Sequence, residues 1–172
     1  MLRILLIGSG AREHAIARSL SLSTKKKEIY CLATNYNPGI ADIWNNITVE
    51  NINDPEIVKT YAKKHKINFS IIGPENPLAN GIADALSDIN IGSIGPKKNL
   101  AQIETSKSFT RKLLTEYKIP GCPKFETFSN INGVKSFLEE LGENYVVKYD
   151  GLAGGKGVKV AGDHLHSHTE AI

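Results

Sequence analysis

The sequence predicts an α/β protein. A doubly wound parallel-sheet domain over residues 1–100 is followed by an incomplete α+β domain over residues 101–172. Three observations carry this expectation. Apolar runs alternate with amphipathic segments through the first hundred residues, the pattern of parallel strands joined by crossover helices. The loops GSGARE and GPENP each follow an apolar run, placing them at the carboxyl ends of strands, where open α/β sheets bind ligands. Beyond residue 101 the alternation gives way to a polar helix, a proline-bracketed joint and two valine-rich runs around a glycine loop.

Each element follows from local chemistry. Leu2 to Ile7 is apolar enough for a buried strand, and Ala11 to about Leu20 reads as the helix after it. Ile29 to Ala33 is the second strand, Asn35 to Asn46 a loop punctuated by Pro38 and Gly39, and Ile47 to Val49 a short third strand. Asp54 suits an N-cap with Pro55 at the first helical position, for a helix reaching about Lys64. Phe69 to Ile72 is the fourth strand, Leu78 to Leu86 a helix, and Ile91 to Ile94 the fifth strand, closed by Gly95-Pro96. Glu104 to Tyr117 reads as one polar helix, followed by the joint IPGCP. Then come a strand (Phe125 to Phe128), a helix (Val134 to Leu141), a strand (Tyr145 to Tyr149), the glycine loop and a strand (Val158 to Ala161).

Bulk properties exclude several classes. The 172 residues are 41% hydrophobic and 23% charged, ordinary for a globular protein with a real core. A net charge of +3 is too small to argue for nucleic acid. Lys25, Lys26 and Lys27, like Lys63, Lys64 and Lys66, are expected at helix ends, where cations suit the dipole. Cys31 and Cys122 show no CxxC spacing, which fits a reducing compartment. No apolar run is long enough to span a bilayer, so a cytoplasmic protein without membrane partners is expected.

Three stretches carry chemistry. Gly8-Ser9-Gly10 opens a helix, where backbone amides meet anions. As a dinucleotide fingerprint it fails twice. Glu13 replaces the third glycine, opposing close helix–strand packing, and Thr34-Asn35 offers no acid for a ribose. A tight glycine turn is the plain alternative, although Arg12, Glu13 and His14 make a dense polar cluster. Glu75 is expected in a loop framed by Pro74 and Pro77, whose restricted backbone aims the carboxylate at a vicinal diol such as ribose offers. A solvated turn is its alternative. The run YVVKYDGLAGGKGVKV lacks the P-loop glycine, because Asp150 stands six before Lys156, and Gly157 stands where Ser or Thr binds Mg²⁺. Its flanks read as strand–loop–strand. A hairpin of this kind still binds phosphates through the amides of Gly154, Gly155 and Gly157 and the charge of Lys156. Lys148 on the preceding strand either pairs an anion or faces solvent.

Together, GSGAREHA (8–15), IIGPENPL (71–78), IGPKKNLAQIETSKSFTRKLL (94–114) and VVKYDGLAGGKGVKV (146–160) resemble the phosphoribosylamine–glycine ligases, or glycinamide ribonucleotide synthetases. The pieces stand in the family's order and spacing and cover nearly the whole chain. The departures are small. Ala11 stands where a second glycine is commoner, and Tyr149 and Gly155 where alanine is usual.

The resemblance implies a Rossmann-like substrate-binding domain (pre-ATP-grasp) followed by the start of an ATP-grasp domain. It also implies ligation of glycine to 5-phosphoribosylamine in de novo purine (IMP) biosynthesis. ATP would phosphorylate glycine to an acyl phosphate that the amine attacks, releasing ADP and phosphate, with Mg²⁺ or Mn²⁺ required. Carried over by position, Lys107, Lys148 and Gly154, Gly155, Lys156 and Gly157 resemble the ATP-phosphate contacts. Gly8, Gly10, Arg12, Glu13, Gly73, Pro74, Glu75 and Asp150 fall to the substrates. Metal ligands and the opposite jaw are expected outside these residues, and no catalytic residue is assigned. The sequence His164, His166, His168 alternates as metal ligands on a strand would, but reads more simply as a polar turn entering a helix. A monomer or weak dimer is expected, with small-molecule partners alone. The chain is expected to be too short for turnover by itself, as part of a longer ligase or as a non-catalytic binding module.

Overall fold

The computed structural model describes residues 1–172. The chain divides into two compact units, Met1–Gln102 and Ile103–Ile172.

In the first unit, β1 (Leu2–Ile7) runs into α1 (Ala11–Ser21), then β2 (Lys27–Ala33), α2 (Pro38–Ala41), β3 (Ile47–Val49), α3 (Pro55–Lys64) and β4 (Phe69–Ile72). Next come α4 (Glu75–Ala79), α5 (Ile82–Ser87), β5 (Gly92–Ile94) and α6 (Lys98–Thr105), whose last turn passes into the second unit. The sheet order is β3-β2-β1-β4-β5, all parallel. The unbroken apolar run of β1 has a simple cause. Leu5 and Ile7 join a core with Leu32, Val58, Ile82 and Leu86, while Ile4 and Leu6 join a separate one with Ile29, Cys31, Ile40 and Ile71. Alternate residues of a strand point to opposite faces, and both faces here are covered. The strand order reverses direction at β1 and β4, so the loops after them flank the switch-point crevice.

Several elements differ from expectation. The 35–46 stretch contains α2, because Asn37 caps it through the Ile40 amide (3.1 Å) and Pro38 presets the first turn. Glu75 opens α4, with Pro74 as its N-cap, and does not lie in a loop. The single helix expected over 78–86 is two, broken at Gly81, whose φ of +81° ends one turn and starts the next. Lys27 begins β2, its amine donating to the Ser23 carbonyl at 2.7 Å, so it does not close a helix. Elsewhere Asp54 caps α3 as its sequence requires, accepting from the Glu56 amide at 2.8 Å.

The second unit contains α7 (Lys107–Glu116), α8 (Val134–Leu141), β6 (Val146–Lys148), β7 (Val158–Val160) and α9 (His168–Ala171). The helix expected over 104–117 is interrupted at Ser106, which has extended backbone and caps α7 through the Phe109 amide at 3.1 Å. Residues 125–128 are irregular. The sheet of this unit is the antiparallel pair β6-β7 alone, so the run finds no ladder, and Phe128 instead lies against Phe137. Its core consists of Leu138, Tyr145 and Leu165. His164 lies in a turn and His168 opens α9, so these histidines do not share a strand face. No helix of the protein is long and apolar enough to cross a membrane.

Candidate functional site

Two clusters gather the residues singled out in the sequence, one in each unit.

In the first unit the chain leaves β1 through Gly8, whose φ of +121° suits glycine alone. Gly10 then caps α1 with extended backbone. Glu13, in the first turn, reaches back so that the Gly10 amide donates to its Oε2 at 2.6 Å. The carboxylate is only 4% exposed. The expectation that Glu13 opposes close packing is therefore corrected. Glycines at 8, 10 and 73 leave the room it fills. Ideal Cβ atoms there would lie 2.7 Å, 3.1 Å and 1.9 Å from Glu13 atoms.

The loop after β4 meets the loop after β1 through Arg12. Its Nη1 donates to the Gly73 carbonyl, and its Nη2 to Glu75 Oε1 at 2.9 Å. That hydrogen bond, and then the residue's own backbone amide, hold the Glu75 carboxyl below its usual range. Glu75 is thus an ionised acceptor at neutral pH, partly exposed and held in one direction by Arg12 and by its place at the start of α4.

Sequence reasoning missed part of this cluster. Asn37 donates from Nδ2 to the Ser9 carbonyl at 2.9 Å, and the Cys31 thiol faces the Gly8 carbonyl at 3.4 Å. Burial, with Glu13 nearby, pushes the Cys31 thiol up to about 12, so it stays protonated. The His14 ring lies where a side chain at Gly39 would stand, with Cε1 2.5 Å from the ideal Cβ position. Only the glycine at 39 hinted at the last of these contacts.

In the second unit the chain leaves β6 at Lys148 and returns at Val158, closed by the Tyr149 amide on the Gly157 carbonyl at 2.8 Å. Between them Gly154 (φ +54°) and Gly155 (φ +79°) form an open turn. The side chains of Lys148 and Lys156 are exposed beside it. Gly157 is glycine for a packing reason, since its Cβ would stand 2.7 Å from that of Ala153.

Asp150 is tied to the start of α7. The Ser108 amide donates to Oδ1 at 3.1 Å, the Ser106 hydroxyl stands 3.2 Å from the same oxygen, and the Ser108 hydroxyl donates to Oδ2. These contacts, led by the Ser108 hydroxyl, lower the Asp150 carboxyl from its ordinary value. Lys107 donates from Nζ to the Gly151 carbonyl at 2.8 Å. Lys107, Ser108, Lys148, Tyr149 and Asp150 share the lining of a groove of about 930 Å³ in this unit. Ser106 and Ser108 were not singled out in the sequence, because their partner lies more than forty residues away.

Residues 2–104 match the phosphoribosylglycinamide synthetase N domain, and residues 105–172 match the ATP-grasp (A) domain of the same synthetase. The chain belongs to the phosphoribosylglycinamide synthetase family. It is 44% identical over 172 residues to phosphoribosylamine–glycine ligase of Methanopyrus kandleri, covering 99% of this chain and 38% of that protein. It is 46% identical over 171 residues to the ligase of Methanosphaera stadtmanae, with the same coverage. The chain thus spans little more than a third of the curated relatives it matches. Among solved structures, phosphoribosylamine–glycine ligase of Thermotoga maritima superposes with a TM-score of 0.71 at 24% identity, covering 99% of this chain and 37% of that one. An ADP complex of N5-carboxyaminoimidazole ribonucleotide synthetase superposes with a TM-score of 0.74 at 19% identity, covering 99% and 43%. At these identities the likeness speaks for the fold, a mixed α/β N-terminal part of an ATP-grasp synthetase.

Proposed function

We propose that these residues serve the ATP-dependent ligation of glycine to 5-phosphoribosylamine, giving glycinamide ribonucleotide, ADP and phosphate in purine biosynthesis. One observation carries the reading. Arg12 joins the GSGARE and GPE loops into a single polar wall at the switch point of a parallel sheet, in a chain whose relatives bear the name of this ligase. In this reading residues 1–100 bind the sugar phosphate and residues 101–172 begin the ATP-grasp domain. The partly exposed, ionised Glu75 accepts hydrogen bonds from ribose hydroxyls, and Arg12 fixes its direction.

The donors of the second unit fit nucleotide phosphates. The ammonium groups of Lys107, Lys148 and Lys156 and the amides of the open Gly154–Gly157 turn are all donors, and Gly154 and Gly155 have no atom within 4 Å of their Cβ positions. ATP, when bound, supplies the phosphoryl group that activates a carboxylate. The lysines offset charge on its oxygens, and closure of the turn excludes water. No group of three His, Cys, Asp or Glu residues is placed to hold a metal, so Mg²⁺ or Mn²⁺ is assigned no ligand here. Asp150, whose oxygens are already taken by Ser106 and Ser108, supports the base of the turn in preference to touching substrate.

Titration calorimetry of the chain with glycinamide ribonucleotide and, separately, with ATP tests the proposal. Binding of glycinamide ribonucleotide is expected, with Glu75→Gln weakening it and leaving the affinity for ATP unchanged. No binding of glycinamide ribonucleotide, or equal loss of both ligands in Glu75→Gln, would overturn the assignment.

A further inference from the structure

We propose that Glu13 is a positioning residue of the sugar-phosphate wall. Its buried carboxylate is the block against which both glycine loops are set. The inference deepens the reading above and rests on it for the identity of the ligand.

Three observations converge on this side chain. Glu13 is 4% exposed, and its Oε2 accepts the Gly10 amide at 2.6 Å. A carboxylate so placed satisfies a first-turn donor of α1 from within the protein, and so withdraws that amide from any ligand. The glycines facing it come from two separate loops, Gly8 and Gly10 after β1 and Gly73 after β4. A Cβ at Gly73 would lie 1.9 Å from Oε1, and one at Gly8 would lie 2.7 Å from Cδ. Gly73 does not have a left-handed φ, so conformation alone does not demand glycine there. The carboxylate does. Finally, the Gly73 carbonyl opposite Glu13 is the acceptor for Arg12, which also holds Glu75. Moving Glu13 therefore moves Gly10, Gly73 and the direction of Arg12 together, although Glu13 itself meets no ligand.

The test is a double-mutant cycle in the full chain with Glu13→Ala and Gly73→Ala, reading melting temperature and the affinity for glycinamide ribonucleotide. Gly73→Ala alone is expected to lower the melting temperature, because the new methyl collides with the carboxylate. In the Glu13→Ala background the same methyl enters emptied space and is expected to cost almost nothing. Glu13→Ala is expected to raise the Kd for glycinamide ribonucleotide about tenfold, the loss of one charge-assisted hydrogen bond from a displaced wall, with the Kd for ATP unchanged. Glu13→Gln, which keeps the volume and one acceptor oxygen, is expected to restore most of the binding, and it secures a folded variant should alanine unfold the unit. Additive melting shifts would overturn the packing half of the inference. An unchanged Kd for glycinamide ribonucleotide, or equal changes in both Kd values, would overturn the positioning half. A wild-type chain that does not bind glycinamide ribonucleotide overturns the ligand assignment, while the melting cycle still decides whether Glu13 sets the two loops.

Discussion

The two units solve the same problem, holding polar loops in place, with unequal means. In the first, both faces of a five-stranded parallel sheet are buried, and Leu5, Leu6, Ile7, Ile29, Leu32, Ile82 and Leu86 are fully enclosed. Its site loops start from the ends of such strands. In the second, Leu138, Tyr145 and Leu165 are the core, and Val146 and Val147 on β6 stay 48% and 36% exposed. Its loops are held by side-chain hydrogen bonds, chiefly Ser106 and Ser108 on Asp150 and Lys107 on Gly151. Hydrophobic burial scales with enclosed area, whereas solvent-exposed hydrogen bonds contribute little net free energy. The wall of the first unit is therefore held the more strongly, and the lysine-bearing turn of the second the less.

The largest test of that contrast is Leu6→Ala, fully buried at the middle of the sheet. It is expected to cost about 2–5 kcal/mol, and hydrogen exchange should show protection lost throughout β1, β2 and β4. Leu138→Ala, by contrast, should lose protection only within residues 103–172. Equal loss in both units after Leu138→Ala would break the comparison. Next, Gly73→Ala is expected to destabilise the first unit by about 1–3 kcal/mol through overpacking, seen as a lower midpoint in urea. Ser106→Ala removes the α7 cap and is expected to cost the second unit about 1 kcal/mol, with faster exchange at the Phe109 amide and a looser Asp150.

The smallest effect is a pH dependence that sharpens the contrast. Both Glu75 and Asp150 have folded pKa values depressed below their ordinary ones. Their contribution is present above the unfolded values of about 4.3 and 3.9 and is lost as pH falls through the lower folded values. Acid should thus free the Asp150 strap of the second unit and break Arg12–Glu75, each below its ordinary carboxylate range. Only the second unit should then lose amide protection well before global unfolding, since the first keeps its core. Asp150→Asn should abolish that low-pH transition, as followed by exchange at Ser108.

Much of the first unit was legible. Its five strands follow from apolar runs, and α3 from Asp54 and Pro55, because these signals are local and strong. The splitting of α4 from α5 and of α6 from α7 was not. In both regions helical propensity runs on, and the break depends on one residue, Gly81 or Ser106, meeting its surroundings. The 125–128 run reads as a strand because Phe125, Thr127 and Phe128 are residue types that favour one, but a strand needs a neighbour to pair with. None is provided by the β6-β7 pair.

What the sequence determined by itself was the five strands of the first unit, the family and the residue types at each loop, since periodicity, turn chemistry and motif spacing are all read along the chain. The tertiary structure alone decided the partners: Arg12 on Gly73 and Glu75, Asp150 on Ser106 and Ser108, and Glu13 in the space left by three glycines. Glu13 shows the reason most clearly. In sequence it is a charge too large for its position. In space the glycines that accept it arrive from two different strands, sixty-odd residues apart, and no local rule contains that distance.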